Sequence, residues 1–168
     1  MRGIRSELPA DTLAAALAPI AEMCEQLAWA VCLQSGPLQY PYWDEDDPTN
    51  SDVLSYLDDA YSEERKTPIF RRGFLPRYAE CLVMDEWSYY LGFDADKHLP
   101  AELDRQMGIN GLCPRRKLFE IVEEYNALYI VRVDIGWWEG YHSDQNLLEQ
   151  LRRGWDGIWI DSDKWKAP

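Results

Sequence analysis

Apolar residues recur at Leu13, Leu17, Ile20, Cys24, Leu27 and Val31, in steps of 4, 3, 4, 3 and 4, while Glu22, Glu25 and Gln26 fall on the other side. That period places the apolar set on one face of a helix, so residues 12–33 are predicted as the first helix. Asp11 is the expected N-cap, and Gly36 followed by Pro37 is the expected stop. Pro19 falls inside the pattern and should kink the helix or mark its true start. The stripe is shorter than three heptads and reads as core packing rather than a coiled-coil seam.

Residues 37–50 read as a loop with an aromatic part, Tyr40, Tyr42 and Trp43, and an acidic part, Asp44, Glu45, Asp46 and Asp47. A second helix is predicted over about 51–64, with Val53, Leu54, Leu57 and Tyr61 inward and Asp58, Asp59, Glu63 and Glu64 mostly outward. Trp87, Tyr89, Leu91 and Phe93 alternate as a half-buried strand does, and residues 79–84 read either as its partner strand or as a short helix. Residues 98–107 and 114–126 look helical, the latter with Leu118, Ile121, Val122 and Tyr125 on one face. The clearest strand is 128–135, where Tyr129, Val131, Val133 and Ile135 alternate with Arg132 and Asp134. Residues 136–141 read as an aromatic turn. Ser143 or Asp144 should cap a helix to about Arg153, with Leu147, Leu148 and Leu151 inward. A short strand over 155–160 follows.

These elements predict an α+β fold, several helices packed on a small, mainly antiparallel sheet, without the regular alternation of a doubly wound sheet. The 168 residues fit a single globular domain. Within it, residues 1–77 are expected to be helical, about 78–162 mixed, and the tail to 168 polar.

Charge changes the picture more than composition does. Lys plus Arg number 17 against 30 Asp plus Glu, a net of −13. An acidic chain lacks the basic footprint that phosphate binding needs, and it is repelled by anionic membrane surfaces. The charge is also segregated. Nine acids and no base lie between residues 44 and 64, whereas residues 65–77 hold five bases and no acid. The simplest account of the basic island is that it lies against the acidic loop and helix and relieves their repulsion.

Chemistry-bearing motifs are sparse. The four cysteines, at 24, 32, 81 and 113, have neither zinc-knuckle nor dithiol spacing, and the two histidines, His98 and His142, have no metal-ligand pattern. No metal or cofactor is therefore expected. Nucleotide-binding glycine loops and the common hydrolase signatures are missing as well. Arg2 and Arg5 ahead of the apolar run 13–21 have the outline of a secretory leader, but Glu7 and Asp11 intervene and Glu22 ends the run without a cleavage signal. The longest uncharged run, 26–43, contains Gln, Ser, Gly and prolines and does not suit a membrane. The cytoplasm is the expected location.

Two groups of residues stand out as candidate sites. The chain has eight Trp and ten Tyr, more than a small core needs, and these residue types anchor interfaces. The first group joins aromatics to acids: Tyr42, Trp43 and Tyr56 with Asp44, Glu45, Asp46, Asp47, Asp58 and Asp59. Such a surface attracts a cationic partner from a distance and holds it by aromatic contact. The second group is Asp134, Trp137, Trp138, Glu139 and Tyr141, with Arg132 and His142 nearby in sequence. Its carboxylates beside tryptophans could act as a glycosidase-like acid/base pair or line a sugar site. Asp134 also reads as ordinary outward charge on a strand.

A small, acidic chain with candidate aromatic anchors is similar in composition and layout to bacterial toxin-neutralising immunity proteins as a class. The resemblance implies a non-enzymatic inhibitor of a basic toxin or effector domain, with the first group as its surface; a monomer is the default expectation. The alternatives are a small enzyme or carbohydrate-binding domain using Asp134, Glu139, Trp137 and Trp138, and a nucleic-acid mimic that blocks a DNA-binding protein.

Overall fold

The chain turns helical at Thr12, whose side-chain oxygen accepts the Ala15 N–H at 3.1 Å, but it leaves the helix after Cys24 rather than at Gly36. In the computed structural model the residues described are 1–7, 12–33, 69–75, 79, 88–96, 115–133 and 137–161. The predicted first helix becomes α1 (Leu13–Leu17), a 3-10 turn (Ala18–Ile20), α2 (Ala21–Cys24) and then a strand, β2 (Leu27–Leu33). Pro19 sits in the first turn of the 3-10 segment, where its missing N–H costs nothing. The misreading has a simple cause. Leu27 and Val31 are four apart, and four is close to one helical turn and also an even number, so both sit on one face of a strand. The aromatic Trp29 between them favours the strand.

The other elements are β1 (Arg2–Arg5), β3 (Ile69–Phe70), β4 (Ser88–Asp94), α3 (Arg115–Tyr125), β5 (Leu128–Val133), β6 (Trp137–Tyr141), α4 (Gln145–Gly154) and β7 (Ile158–Asp161). The strands form one seven-stranded sheet in the order β3-β2-β4-β5-β6-β1-β7, antiparallel at every pairing. The fold is thus α+β, as the sequence predicts, but its balance differs. The sheet is wide, and among the described residues only α3 and α4 exceed five residues. The segment expected to be helical, 1–77, supplies three strands.

Both faces of the sheet are covered. On one, Ile4, Trp29, Val31, Tyr90, Ile130 and Trp138 pack with Leu13, Leu17 and Ile20 and with Leu148, Leu151 and Trp155 of the α4 region. On the other, Ala30, Leu91, Tyr129, Val131 and Tyr141 pack with Leu118, Ile121 and Val122 of α3. Covering on both sides explains why β4 and β5 are buried on both of their faces rather than half-buried. Asp144 caps α4 by accepting the Asn146 N–H at 2.8 Å. Trp155 then ties that helix to α1 by donating its indole N–H to the Ala16 carbonyl at 2.7 Å. No helix among the described residues is long and apolar enough to cross a membrane.

Candidate functional site

The predicted aromatic turn over 136–141 is instead the strand β6, paired with β5 on one side and β1 on the other. Strand alternation sends Trp137, Glu139 and Tyr141 to one face and Trp138 to the other. The second candidate group therefore splits. Trp138 is core, buried against Tyr90 at 6.1 Å between ring centroids. Tyr141 is buried beneath Phe119 at 4.9 Å and beside Tyr129 at 5.9 Å. Neither ring is open to stack on a sugar. Asp134 lies outside the described residues.

Glu139 is 0% exposed in the middle of the sheet. Its partner comes from β1, where Arg5 stands directly opposite in register. Arg5 donates to Oε1 through Nη2 at 2.8 Å and Nε at 3.2 Å, and the Trp137 indole N–H donates to the same oxygen at 3.2 Å. Oε2 accepts the Tyr141 hydroxyl at 2.6 Å. The guanidinium also lies over the Trp137 ring, 4.7 Å from its centroid. Both oxygens of this carboxylate are thus engaged as acceptors, by four donor atoms of three side chains. The arrangement ties β6 to β1 and fixes the guanidinium. Arg5 was not readable as its member. A four-residue strand gives almost no periodic signal, and the pairing spans 134 residues of sequence.

Gly3, also in β1, completes this packing. A Cβ there would stand 2.3 Å from the Tyr141 ring, so only glycine lets the ring lie flat across the strand. Beside it, Met1, Arg2, Arg5, Tyr141, Trp159, Ile160 and Asp161 line an open cleft of about 640 Å³.

A second cleft, of about 610 Å³, involves His142, Asn126, Asp144, Arg72 and Asp94. The buried His142 ring is held at both nitrogens. Nδ1 accepts the Asp144 N–H at 2.8 Å, which leaves Nε2–H to donate to the Asn126 carbonyl at 3.1 Å. That is the neutral tautomer, and burial holds the ring's pKa below its ordinary value. Arg72, from the basic island, stands 3.9 Å from Asp94 and from Asp96. Among the described residues no group of three or more His, Cys, Asp or Glu is placed to hold a metal.

Tyr42, Trp43, Asp44, Glu45, Asp46, Asp47, Tyr56, Asp58 and Asp59 all lie outside the described residues. The chain on either side of them is described. Leu33, at the end of β2, heads a cross-strand row through Ser88 and Arg132 to Trp138. The next described residue after the gap, Ile69, pairs with Ala30 in the antiparallel sense. Leu33 therefore lies at the end of the sheet that carries the end of β5 and the start of β6, whereas Ile69 lies on the row of Ala30, Leu91, Tyr129 and Tyr141.

Comparison with protein families, with curated proteins and with solved structures finds no match to this chain.

Proposed function

We propose that this protein is an acidic binding protein that neutralises a cationic partner, in the manner of an immunity protein acting on a basic toxin or effector enzyme in the bacterial cytoplasm. The observation that carries the reading is the block of nine acids and no base over residues 44–64 in a chain of net charge −13. Such a field steers a basic partner to encounter rates of about 10⁸–10⁹ M⁻¹s⁻¹ at low salt. Tyr42, Trp43 and Tyr56 then supply the buried contacts that slow dissociation. The first candidate group is preferred to the second because Glu139 is engaged by four donor atoms and Trp138 and Tyr141 are buried in packing. The protein acts as a monomer and needs no cofactor for this task.

The test begins with capture of partners from a lysate of the source cells, eluted along a salt ramp. The expected result is a basic protein retained in near one-to-one amount and released at high salt. Asp44, Glu45, Asp46 and Asp47 are then changed together to Asn or Gln. The association rate should fall and lose most of its salt dependence. An association rate unchanged by the fourfold substitution overturns the assignment of this surface.

A further inference from the structure

The cleft of about 610 Å³ that involves Arg72 and Asp94 lies on the face of the sheet shared by Ile4, Trp29 and Trp138. Leu27 stands directly opposite Asp94 in register, and alternation puts Leu27 on the Trp29 side of β2. Met23, Leu27, Leu128 and Leu147 all pack in the core of that same face and give the cleft an apolar floor. Its two charged groups stand on well-held backbone. Phe70 and Phe74, with ring centroids 5.3 Å apart, and the fully buried Leu75 fix the turn that carries Arg72. Asp94 ends β4, and its Oδ1 accepts the Asp96 N–H at 3.1 Å. The two groups nevertheless satisfy each other poorly. Nη2 of Arg72 is 3.9 Å from Asp94 Oδ1 and from Asp96 Oδ2, beyond hydrogen-bond reach. Among the described residues the Arg72 guanidinium donates no hydrogen bond and Oδ2 of Asp94 accepts none. Other polar groups of the lining are already committed: His142 is held at both nitrogens, and Asp144 caps α4. The volume falls within the roughly 300–1,000 Å³ range of small-molecule sites.

We propose that this cleft binds a free α-amino acid with an aliphatic side chain, its carboxylate on Arg72, its ammonium on Asp94 and its side chain on the floor made by Leu27, Leu128 and Leu147. The planar carboxylate matches the guanidinium in the bidentate fashion of arginine–carboxylate pairs. The ammonium supplies the donors that Asp94 Oδ2 lacks among the described residues. A ligand of one sign would be drawn to one of the two groups and repelled by the other, whereas a zwitterion satisfies both. Having no net charge, it also escapes the repulsion that the chain's −13 exerts on an anion. The site uses residues separate from the acidic stretch and does not depend on the partner proposed for that stretch.

The experiment is a titration of the full chain with L-leucine, followed by NMR at the methyl groups of Leu27 and Leu147. L-leucinamide, which lacks the carboxylate, N-acetyl-L-leucine, which lacks the ammonium, and glycine, which lacks the side chain, are titrated in parallel. Leucine should shift both sets of methyl signals saturably in the millimolar range or below. Leucinamide and N-acetyl-leucine should each bind about tenfold more weakly, the low end of the loss expected for a charge-assisted hydrogen bond because Arg72 and Asp94 are half exposed. Glycine should bind more weakly still. Arg72→Gln, at an exposed side chain, leaves the fold intact and should bring leucine down to the affinity of leucinamide. Absence of a saturable shift with leucine, binding of leucinamide, N-acetyl-leucine or glycine as tight as that of leucine, or a leucine affinity untouched by Arg72→Gln each overturns the proposal.

Discussion

Replacing Arg5 by alanine removes the guanidinium that donates twice to the fully buried Glu139 carboxylate, while the Tyr141 hydroxyl and the Trp137 indole N–H stay in place. Breaking a buried ion pair from one side costs about 3–5 kcal/mol. Arg5 is 31% exposed, so water can take part of its place, and the lower end of that range, about 3 kcal/mol, is expected. Against a total stability of about 5–15 kcal/mol the variant still folds. Changing Glu139 to Gln in the same chain removes the charge that needs the partner. Arg5→Ala/Glu139→Gln should therefore be more stable than Arg5→Ala alone, by about 1 kcal/mol or more. Urea unfolding at neutral pH measures all four corners of the cycle, with unchanged slope as the check that the unfolding reaction is the same. The reasoning is refuted if Arg5→Ala costs less than about 1 kcal/mol. It is equally refuted if the double variant is no more stable than the single one.

Gly3→Ala should cost about 1–3 kcal/mol by overpacking. The new methyl would meet a buried Tyr141 ring whose hydroxyl is already bonded to Glu139, and a thermal melt reads the loss. The buried neutral His142 predicts a pH dependence of definite sign. Its folded pKa lies below the ordinary 6.5, so on acidification the unfolded chain takes up the proton first. This contribution to stability is full above that value and declines as pH falls below it, and His142→Gln should flatten this part of a profile of urea midpoints measured between about pH 5 and 8. Cys24 is buried, and burial together with the neighbouring Glu25 charge pushes its thiol up to about 12. In the native protein it should react with iodoacetamide far more slowly than a free thiol at the same pH, and denaturant should abolish the difference.

Much of the local structure is legible in the residues themselves. The helical period of Leu118, Ile121 and Val122 locates α3, and that of Leu147, Leu148 and Leu151 together with the Asp144 cap locates α4. The alternation in β4 and β5 announces two strands. In each case a run of six or more residues repeats one period often enough to exclude the other. The segregated charge, and with it the case for a cationic partner, is likewise a property of the sequence alone. What only the tertiary structure decided is what depends on neighbours far along the chain. Whether Leu27 and Val31 share a helix face or a strand face is settled by pairing with β4, because a spacing of four satisfies both periods. β1 is too short to carry a period and exists because β6 and β7 bond it from both sides. Glu139 looks in sequence like a carboxylate free for chemistry. It becomes the anchor of a guanidinium only when the fold sets Arg5 across from it, since a side chain's chemistry is fixed by its partners and its access to water as much as by its type.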